Sequence, residues 1–355
     1  MSTENGHNPD SNPSPSSPRV IVDAAGGDLA PAEPVKGALQ AARRSPETNV
    51  TLVGPEDETR QEIEKQGGAP ANVDILNASQ KIGMQESPVS ALRNKKDSSV
   101  NIGMKTVASG EADAFLSAGN TGAVVSAATL RLGLIEGIQR PGIAIPITAV
   151  DHPVLIIDVG ANVHCKPMHL MQYGLMADVF ARQVMNMESP RVGLLNVGEE
   201  ESKGRDLEKQ TFGLLSDAPL DFVGNIESRD IFFGGCEIVV CDGFVGNVLL
   251  KTSESLVSKM LQFFRHQIGE SWRRKIGFAL CKDIFKTAKQ IGDYAEYGGA
   301  PLLGVDGVTI ICHGRSEAKA FDNAISEAAS FLGHGVNADI AQTVESLPPR
   351  DAKPE

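Results

Sequence analysis

The sequence lacks the signatures of several large protein classes. No Gly-Lys dipeptide occurs in its 355 residues, which excludes a Walker A loop, and neither G-x-S-x-G nor H-E-x-x-H is present. No run approaches the roughly 18 apolar residues of a spanning helix, and no apolar signal core opens the chain. Acidic residues outnumber basic ones by 45 to 33, a formal charge of -12 that argues against nucleic-acid binding. We therefore expect a soluble, cytoplasmic protein.

Cysteine is also scarce and irregularly spaced. The five cysteines form no C-x-x-C pair, so a reduced compartment is the better interpretation. Together with the seven histidines they show no zinc-ligand spacing. The sequence therefore predicts neither a disulfide framework nor a bound metal, and it offers no dinucleotide fingerprint that would indicate a cofactor.

What the chain does contain is apolar mass arranged in alternating elements. Hydrophobic residues make up 41% of the chain, enough for a large core. Short β-rich runs alternate with longer helical patterns, which predicts βαβ units and a largely parallel sheet with helices on both faces. We expect one α/β domain over residues 19–335, between disordered tails at residues 1–18 and 348–355. The strand candidates are Val20–Val22, Val50–Val53, Val73–Leu76, Ala114–Leu116, Ile143–Ile147, Val154–Ile157, Val192–Leu195, Phe222–Val223, Ile238–Val240 and Val308–Ile311. The helix candidates are Ala32–Arg44, Glu58–Gln66, Thr121–Leu134, Pro167–Met187, Asn247–Ile268 and Glu317–Phe331.

Polar residues followed by glycine-containing turns end seven of these runs. In open α/β sheets, ligands bind beyond the carboxyl ends of the strands. Glycines there let backbone N–H groups approach an anion, and helix N-termini add a favourable partial charge. Any single glycine turn is ordinary in an α/β protein, but seven together predict one large phosphate or carboxylate site. The seven residues are Asp23, Ser117, Asp158, Asn196, Asn225, Asp242 and His313.

The predicted site has anion donors but no obvious protein nucleophile. One consistent interpretation is that the bound anion is itself the nucleophile, while the protein orients it and stabilises an oxyanion. Candidate donors lie in NVGEEESKGRD, which contains Lys203, and in DGFVGNVLLKT, where Asn247 and Lys251 open a helix. Lys203 stands in an acidic run, so a solvated surface lysine is an equal alternative from composition alone.

Nine stretches in one order resemble the bacterial phosphate acyltransferase family of phospholipid synthesis, the PlsX family. The likeness covers about Arg19 to Leu332. It departs from the family at Ala25, where Met is usual, and at His164, where Asp is common, which weakens a carboxylate role there. The stretches are VDAAGGDLAP, SALRNKKDSS, SAGNTGA, DVGANVHCKPMHLMQYG, LLNVGEEESKG, VGNIESRDIF, DGFVGNVLLKT, EYGGAPLLGV and HGRS.

The resemblance implies transfer of a fatty acyl group from acyl-acyl carrier protein to inorganic phosphate, without a cofactor. It also implies a homodimer of three-layer α/β/α subunits, related to the isopropylmalate dehydrogenase and phosphotransacetylase folds, whose product feeds a membrane glycerol-3-phosphate acyltransferase. Lys203 and Asn247 are the candidate catalytic residues, with Asp28 or Asp242 as a proton acceptor or a partner that positions Lys203. The candidate phosphate and substrate-binding residues are Asp23, Gly26, Gly27, Asp28, Asn120, Thr121, Gly122, Asp158, Asn162, Lys166, Asn196, Asn225, Asp242, Lys251 and His313.

One helical stretch carries a net positive charge, although the chain as a whole is negatively charged. From Val257 to Lys289 eight basic residues face two acidic ones, with apolar side chains interleaved. This pattern suits an anionic membrane surface or an acidic carrier protein. The alternative is an ordinary helical pair packed on the core or a dimer interface. We expect an amphipathic protrusion over about residues 255–290 and peripheral membrane association, with contacts through Phe263, Phe264, Arg265, Trp272, Arg273, Arg274 and Lys275.

Two other functions remain open from the sequence. An isopropylmalate-type dehydrogenase would need a nucleotide cofactor and clustered aspartates for a divalent metal, and no such cluster is apparent. A non-catalytic lipid or carrier-protein binder would explain the basic stretch but not the polar strand ends.

Overall fold

The computed structural model describes residues 17–148, 152–281 and 298–347. The predicted tails, residues 1–18 and 348–355, lie outside the described residues except for positions 17 and 18. The distal part of the predicted protrusion, residues 282–290, also lies outside them.

All ten predicted strands are present within a residue or a few of the expected bounds. One strand, Ala300–Leu303, was not predicted, because its four residues follow a Gly-Gly pair and include a proline, both of which weaken a strand signal. The strands are β1 (Arg19–Asp23), β2 (Asn49–Gly54), β3 (Val73–Asn77), β4 (Ala114–Ser117), β5 (Gly142–Thr148), β6 (Pro153–Ile157), β7 (Arg191–Leu195), β8 (Asp221–Ile226), β9 (Ile238–Val240), β10 (Ala300–Leu303) and β11 (Val308–Ile311).

The six predicted helices are present, and the described residues contain six further helices that were not predicted separately. These additional helices are 4 to 11 residues long, and such short helices carry a weak periodic signal. The helices are α1 (Ala32–Arg44), α2 (Glu56–Lys65), α3 (Pro88–Asn94), α4 (Ser99–Ala108), α5 (Thr121–Arg131), α6 (Pro167–Gln183), α7 (Asp206–Ser216), α8 (Asp230–Phe233), α9 (Gly243–Gly269), α10 (Trp272–Leu280), α11 (Ala318–His334) and α12 (Val336–Glu345).

One sheet of eleven strands crosses the described structure in the order β3-β2-β1-β4-β11-β10-β5-β6-β9-β7-β8. Both faces are buried: in β1, Val20 and Val22 join the core under α1, α6 and α11, while Ile21 joins the core under α4 and α5. Alternation with period two supplies both cores because successive side chains point to opposite faces. The prediction of a three-layer, mostly parallel α/β fold is confirmed.

The sheet reverses direction at its centre. Strands β11 and β10, β10 and β5, and β5 and β6 pair antiparallel, whereas the outer pairs are parallel. Strands β6 to β9 therefore run opposite to β1 to β4 and β11. The strands that lead to Asp23, Ser117 and His313 therefore point toward one edge of the sheet, and those that lead to Asp158, Asn196, Asn225 and Asp242 point toward the other.

The register nevertheless brings the two directions together at the centre. Ile311, the last residue of β11, pairs with Ala300 of β10. Two residues further along β10, Leu302 pairs with Ile143 of β5. The next residue of β5, Ala144, pairs with Ile157, the last residue of β6. Strands β11 and β6 therefore end near the same level, so loops that follow strands of opposite direction meet over the middle of the sheet.

Candidate functional site

A cavity of about 400 Å³ lies where these loops meet. Its polar wall contains Thr121 at the first turn of α5, and Asn247 and Lys251 in the first turns of α9, together with His313 after β11. Its apolar wall contains Met84, Ile145, Val159, Leu250 and Ile311. One space thus offers anion donors, including the first amides of α5, beside a hydrocarbon-like surface.

The loop after β1 is fixed by a buried carboxylate. Asp23 is 1% exposed, its Oδ1 accepts from the Ala25 amide at 3.0 Å, and its Oδ2 accepts from the Ser117 hydroxyl at 2.7 Å. Burial raises the pKa of Asp23 above its usual value. A Cβ on Gly26 would lie 2.5 Å from Asp23 Oδ2 and 2.9 Å from the Gly119 nitrogen. Asp23 and Gly26, both predicted ligand residues, therefore join two loops that flank the cavity, and neither lines it.

The oxygen and the nitrogen of the Asn120 side-chain amide both make hydrogen bonds to backbone groups of the protein. Its Oδ1 caps α5 by accepting from the Ala123 amide at 3.1 Å. Its Nδ2 donates to the carbonyls of Gly83, Met84 and Glu86 at 3.0 to 3.3 Å. The side chain predicted to bind phosphate thus holds the segment that carries Met84, and the neighbouring Thr121 faces the cavity.

Asp158 organises the loop after β6. Its buried carboxylate accepts from the amides of Ile143, Gly160, Ala161 and Asn162 at 2.8 to 3.1 Å. Burial raises the pKa of Asp158, and these donors oppose the rise. The carboxylate is fully enclosed, so it shapes the loop that includes Gly160 on the cavity wall.

Helix α9 begins in close contact with that loop. A Cβ on Gly246 would lie 2.0 Å from the Asp158 carbonyl oxygen, so only glycine permits this approach. The Gly243 amide donates to the Asn162 carbonyl at 2.9 Å, and Asn162 Nδ2 donates to Pro141 O and to the Tyr173 hydroxyl. Asn162 therefore supports the start of α9, and Asn247 projects from the helix beside Gly160.

Asp242 caps α9 and connects it to the loop that carries Lys203. Its Oδ1 accepts from the Val245 amide at 2.8 Å, and its Oδ2 accepts from Arg205 Nη2 at 2.5 Å. Arg205 also donates to Glu208, and this contact with Glu208, more than the one with Asp242, raises the pKa of Arg205. Arg205 was not among the predicted site residues, although it stands in the NVGEEESKGRD stretch that contains Lys203.

Two asparagine side chains donate hydrogen bonds to backbone carbonyls of the loop that carries Lys203. Asn196 Nδ2 donates to the Lys203 carbonyl at 3.2 Å, and Asn225 Nδ2 donates to the Glu200 carbonyl at 2.9 Å. The Lys203 side chain is half exposed, with Nζ 3.9 Å from Glu200 Oε1. Lys203, Asn196 and Asn225 do not line the cavity in this structure.

The loop after β11 meets the loop after β1. The Asp28 amide donates to the Gly314 carbonyl at 2.7 Å, and the Asp28 carboxylate lies 3.8 Å from Arg315 Nε. Burial, followed by the nearby Lys251, lowers the pKa of His313. Gly27, with φ of +99°, passes so close to Gly314 that a Cβ would lie 3.1 Å from its carbonyl oxygen.

The remaining predicted residues, Lys166 and Gly122, do not line the cavity. Lys166 occupies the N-cap position of α6, where its amide donates to His169 Nδ1, and Gly122 packs against Pro88.

All five cysteines are free thiols, and burial raises the pKa of Cys165 to about 11 and that of Cys236 to about 12. Neither thiol is therefore an activated nucleophile.

Helix α9 continues beyond the cavity into a helical pair with α10. Only Gly243 and Gly246 of α9 are buried, and no residue of α10 is. The predicted contact residues Phe263, Phe264 and Trp272 are exposed, and the Arg273 guanidinium lies 5.5 Å from the Trp272 ring centre. Arg265, Arg274 and Lys275 are exposed as well. Within the described part of the chain, no helix combines the length and apolarity needed to cross a bilayer.

Solved structures with a similar fold include two classes of enzyme. The chain resembles the EutD phosphotransacetylase from Staphylococcus aureus with a TM-score of 0.55 and 13% identity, covering 89% of this chain and 95% of that one. It resembles a 4-hydroxythreonine-4-phosphate dehydrogenase from Klebsiella pneumoniae with a TM-score of 0.52 and 11% identity, covering 89% and 100%. At such identity these structures establish the fold alone.

Sequence relatives are far closer. The family model described as "Fatty acid synthesis protein" matches residues 18–339. The phosphate acyltransferase of Geobacter sulfurreducens is 45% identical over 328 residues, which is 92% of this chain and 94% of that protein. The phosphate acyltransferase of Pelotomaculum thermopropionicum is 45% identical over 329 residues, 93% and 96% of the two chains. The chain therefore belongs to the phosphate acyltransferase family, as its motifs predict.

Proposed function

We propose that the protein transfers a fatty acyl group from acyl-acyl carrier protein to inorganic phosphate. A phosphate oxygen attacks the thioester carbonyl carbon, the C–S bond breaks, and the carrier thiol leaves with a proton, giving acyl phosphate. The observation that carries this proposal is the central cavity, which places anion donors and an apolar wall in one space. Relatives that match this chain over 94% and 96% of their own length carry the matching name, which disfavours the dehydrogenase alternative.

Phosphate fits best between the start of α5 and the start of α9. The first amides of α5 have no partner within the helix, and the helix dipole favours negative charge there. Across the cavity, Asn247 offers an amide donor and Lys251 offers a cation whose Nζ lies 3.0 Å from Glu254 Oε2. Ile145, Val159 and Leu250 would then face the acyl chain near the thioester.

Lys203 is proposed to act with Asn247 on the developing oxyanion. The Arg205 contact with Asp242 ties the Lys203 loop to the cap of α9, so both groups depend on the same short segment of structure. The side chains of Lys203 and Asn247 are both exposed, so their removal should leave the fold intact.

The decisive assay incubates the protein with acyl-acyl carrier protein and phosphate and measures acyl phosphate, for example by trapping it with hydroxylamine. Asn247→Ala and Lys203→Ala are expected to lower turnover by about 100-fold, the usual cost of losing an oxyanion donor. The control is Lys36→Ala, because Lys36 is a partly exposed lysine on α1 that does not line the cavity. Full turnover by both site variants would contradict the assignment, and no product from the wild-type protein would contradict the function.

The helical pair is proposed to contact an anionic membrane surface or the acidic carrier protein. Helix α9 rises about 1.5 Å per residue, so Phe263 lies about 24 Å along the helix from Asn247. Its exposed aromatic and basic side chains have the composition of a peripheral membrane helix. Liposome flotation with and without anionic lipid, using a variant with Phe263, Phe264 and Trp272 made polar, separates the two contacts. A homodimer and delivery of the product to a membrane glycerol-3-phosphate acyltransferase complete the proposal.

A further inference from the structure

A second cavity of about 350 Å³ adjoins the first, and of the residues predicted above to bind phosphate or substrate only Gly27 lines it. It lies beyond the carboxyl ends of β1, β2 and β3. Its walls are Ala25 and Gly27 after β1, Pro55 to Thr59 at the start of α2, and the segment from Lys81 to Glu86. Its volume is in the range of small-molecule sites, about 300–1,000 Å³.

The two cavities share one lining residue. Met84 lines both of them and is 48% exposed. Beneath it, Gly27 and Gly314 are in backbone contact, and a Cβ on Gly314 would lie 3.2 Å from Met84 Cε. Met84 is an unbranched, adaptable side chain, so its movement would let a thin ligand extend from one cavity into the other.

The lining of the second cavity fits a neutral ligand of mixed polarity. Lys81 and Lys95 are balanced by Glu58 and Glu86, and Lys95 Nζ lies 2.5 Å from Glu86 Oε1. This balance leaves the lining with no net formal charge, so a neutral ligand meets no excess of either sign. Charged groups stand among alanine, proline and isoleucine side chains, so the space is also less suited than the first cavity to an alkyl chain.

The wall that carries Met84 is held in place before any ligand binds. Three carbonyls of this segment accept from Asn120 Nδ2. Glu86 Oε1 accepts from the Gly83 amide at 2.6 Å, and Lys95 Nζ donates to the Lys81 carbonyl at 2.9 Å. A wall fixed in this way lowers the cost of ordering a ligand site on binding.

We propose that the second cavity receives the pantetheine part of the acyl donor, so that the thioester passes Met84 and its carbonyl reaches the first cavity. Carrier proteins hold acyl groups as thioesters of such an arm, a neutral chain of methylenes and amides that ends in sulfur. The proposal rests on the proposed acyl transfer and adds where the donor lies and what it contacts.

The test compares two donors with the same acyl group, acyl-pantetheine and acyl-N-acetylcysteamine, which lacks most of the arm. Lys81→Trp and Glu58→Trp each put a large ring at a residue that lines the cavity, one in the segment from Lys81 to Glu86 and one on α2. Both positions are exposed, so the fold should tolerate the substitutions. Lys105→Trp, an exposed position on α4 outside both cavities, is the matched control.

Each obstructing variant is expected to raise the KM for acyl-pantetheine about tenfold, the effect of losing about 1.4 kcal/mol of binding. The KM values for acyl-N-acetylcysteamine and for phosphate should change less than about twofold. Lys81→Ala should raise the KM for acyl-pantetheine far less than Lys81→Trp, because it opens the space instead of filling it. An equal rise for both donors, a rise for phosphate, or equal effects of Lys81→Ala and Lys81→Trp would overturn the proposal.

Binding of pantetheine itself separates this proposal from the function. Saturation-transfer NMR should detect pantetheine bound to the wild-type protein and to Lys105→Trp, and a much weaker signal with Lys81→Trp. Wild-type protein that binds pantetheine but makes no acyl phosphate would contradict the function alone. Wild-type protein that makes acyl phosphate, with pantetheine binding unaffected by either obstruction, would contradict the second site alone.

Discussion

Gly246 is the position at which a single methyl group should most directly disturb the site. In the structure its added Cβ would lie 2.0 Å from the Asp158 carbonyl oxygen and 2.9 Å from Cys241 Sγ. Real Cβ atoms essentially never come closer than 3.0 Å to such neighbours. Gly246→Ala must therefore move the start of α9 away from the Asp158 loop by about 1 Å, and Asn247 is the next residue in that helix.

Two effects on stability oppose each other in this variant. Alanine is favoured over glycine inside a helix by about 1 kcal/mol. Overpacking costs about 1–3 kcal/mol, and here the upper part of that range applies because the contact is with backbone, which yields less than a flexible side chain. We expect a net loss of about 1–2 kcal/mol of unfolding free energy. A displacement of about 1 Å in a catalytic group lowers turnover by about 100-fold.

Gly213→Ala is the matched control for this variant. Gly213 lies within α7, away from its ends, on the solvent-exposed side, and an added Cβ there would meet nothing within 4 Å. It should raise the unfolding free energy by about 0.5–1 kcal/mol and leave turnover unchanged. The measurements are the thermal midpoint and the rate of acyl phosphate formation. The reasoning would be refuted by a Gly246→Ala protein with wild-type turnover and a midpoint raised as in Gly213→Ala.

Three further predictions concern buried polar groups near the site. Burial raises the pKa of Asp23, so the folded protein holds this proton more tightly than the unfolded chain, and the group's contribution to stability falls as pH rises from about 3.9 through the raised value. Asp23→Asn should remove that fall from the profile of thermal midpoint against pH, and an unchanged profile would contradict it. Arg205→Gln removes a donor to the 2% exposed Asp242 side chain and should cost about 1–3 kcal/mol in thermal or urea unfolding, whereas Arg229→Gln, at an exposed ion pair, should cost less than about 1 kcal/mol. Asn120→Asp keeps the cap of α5 but loses the donors to the Met84 segment, so the KM for the acyl donor should rise at least about tenfold. A rise in the phosphate KM alone would count against that role.

The linear pattern of residues was sufficient to predict the local structure and the fold class. Apolar runs such as Val20–Val22 and Val50–Val53 predicted strands because buried parallel strands need continuous apolar sequence. The short strand Ala300–Leu303 was missed, since its formation depends on the pairings with β11 and β5 instead of on its own composition. That strand is one of the elements that reverse the direction of the sheet.

The roles of individual polar residues were less predictable. Asp23, Asn120, Asp158 and Asn225 were all identified as notable, and all four make hydrogen bonds to the backbone or side chains of neighbouring loops. Nothing in a single sequence distinguishes an asparagine that binds a ligand from one that holds a loop, because both need the same amide. Met84 stood in no motif, and only its position between two cavities draws attention to it.

The sequence by itself therefore determined the family, the α/β class, the absence of familiar nucleotide and hydrolase motifs, and the set of loops from which a site is made. These features follow from local composition and from the order of motifs along the chain. Only the tertiary structure decided that the chain turns back at β10 and β5, that β11 and β6 end at one level, and that two cavities meet at Met84. Such properties depend on pairings between residues far apart in the sequence, such as Ile311 with Ala300 and Ala144 with Ile157, whose geometry exists only once the sheet has formed.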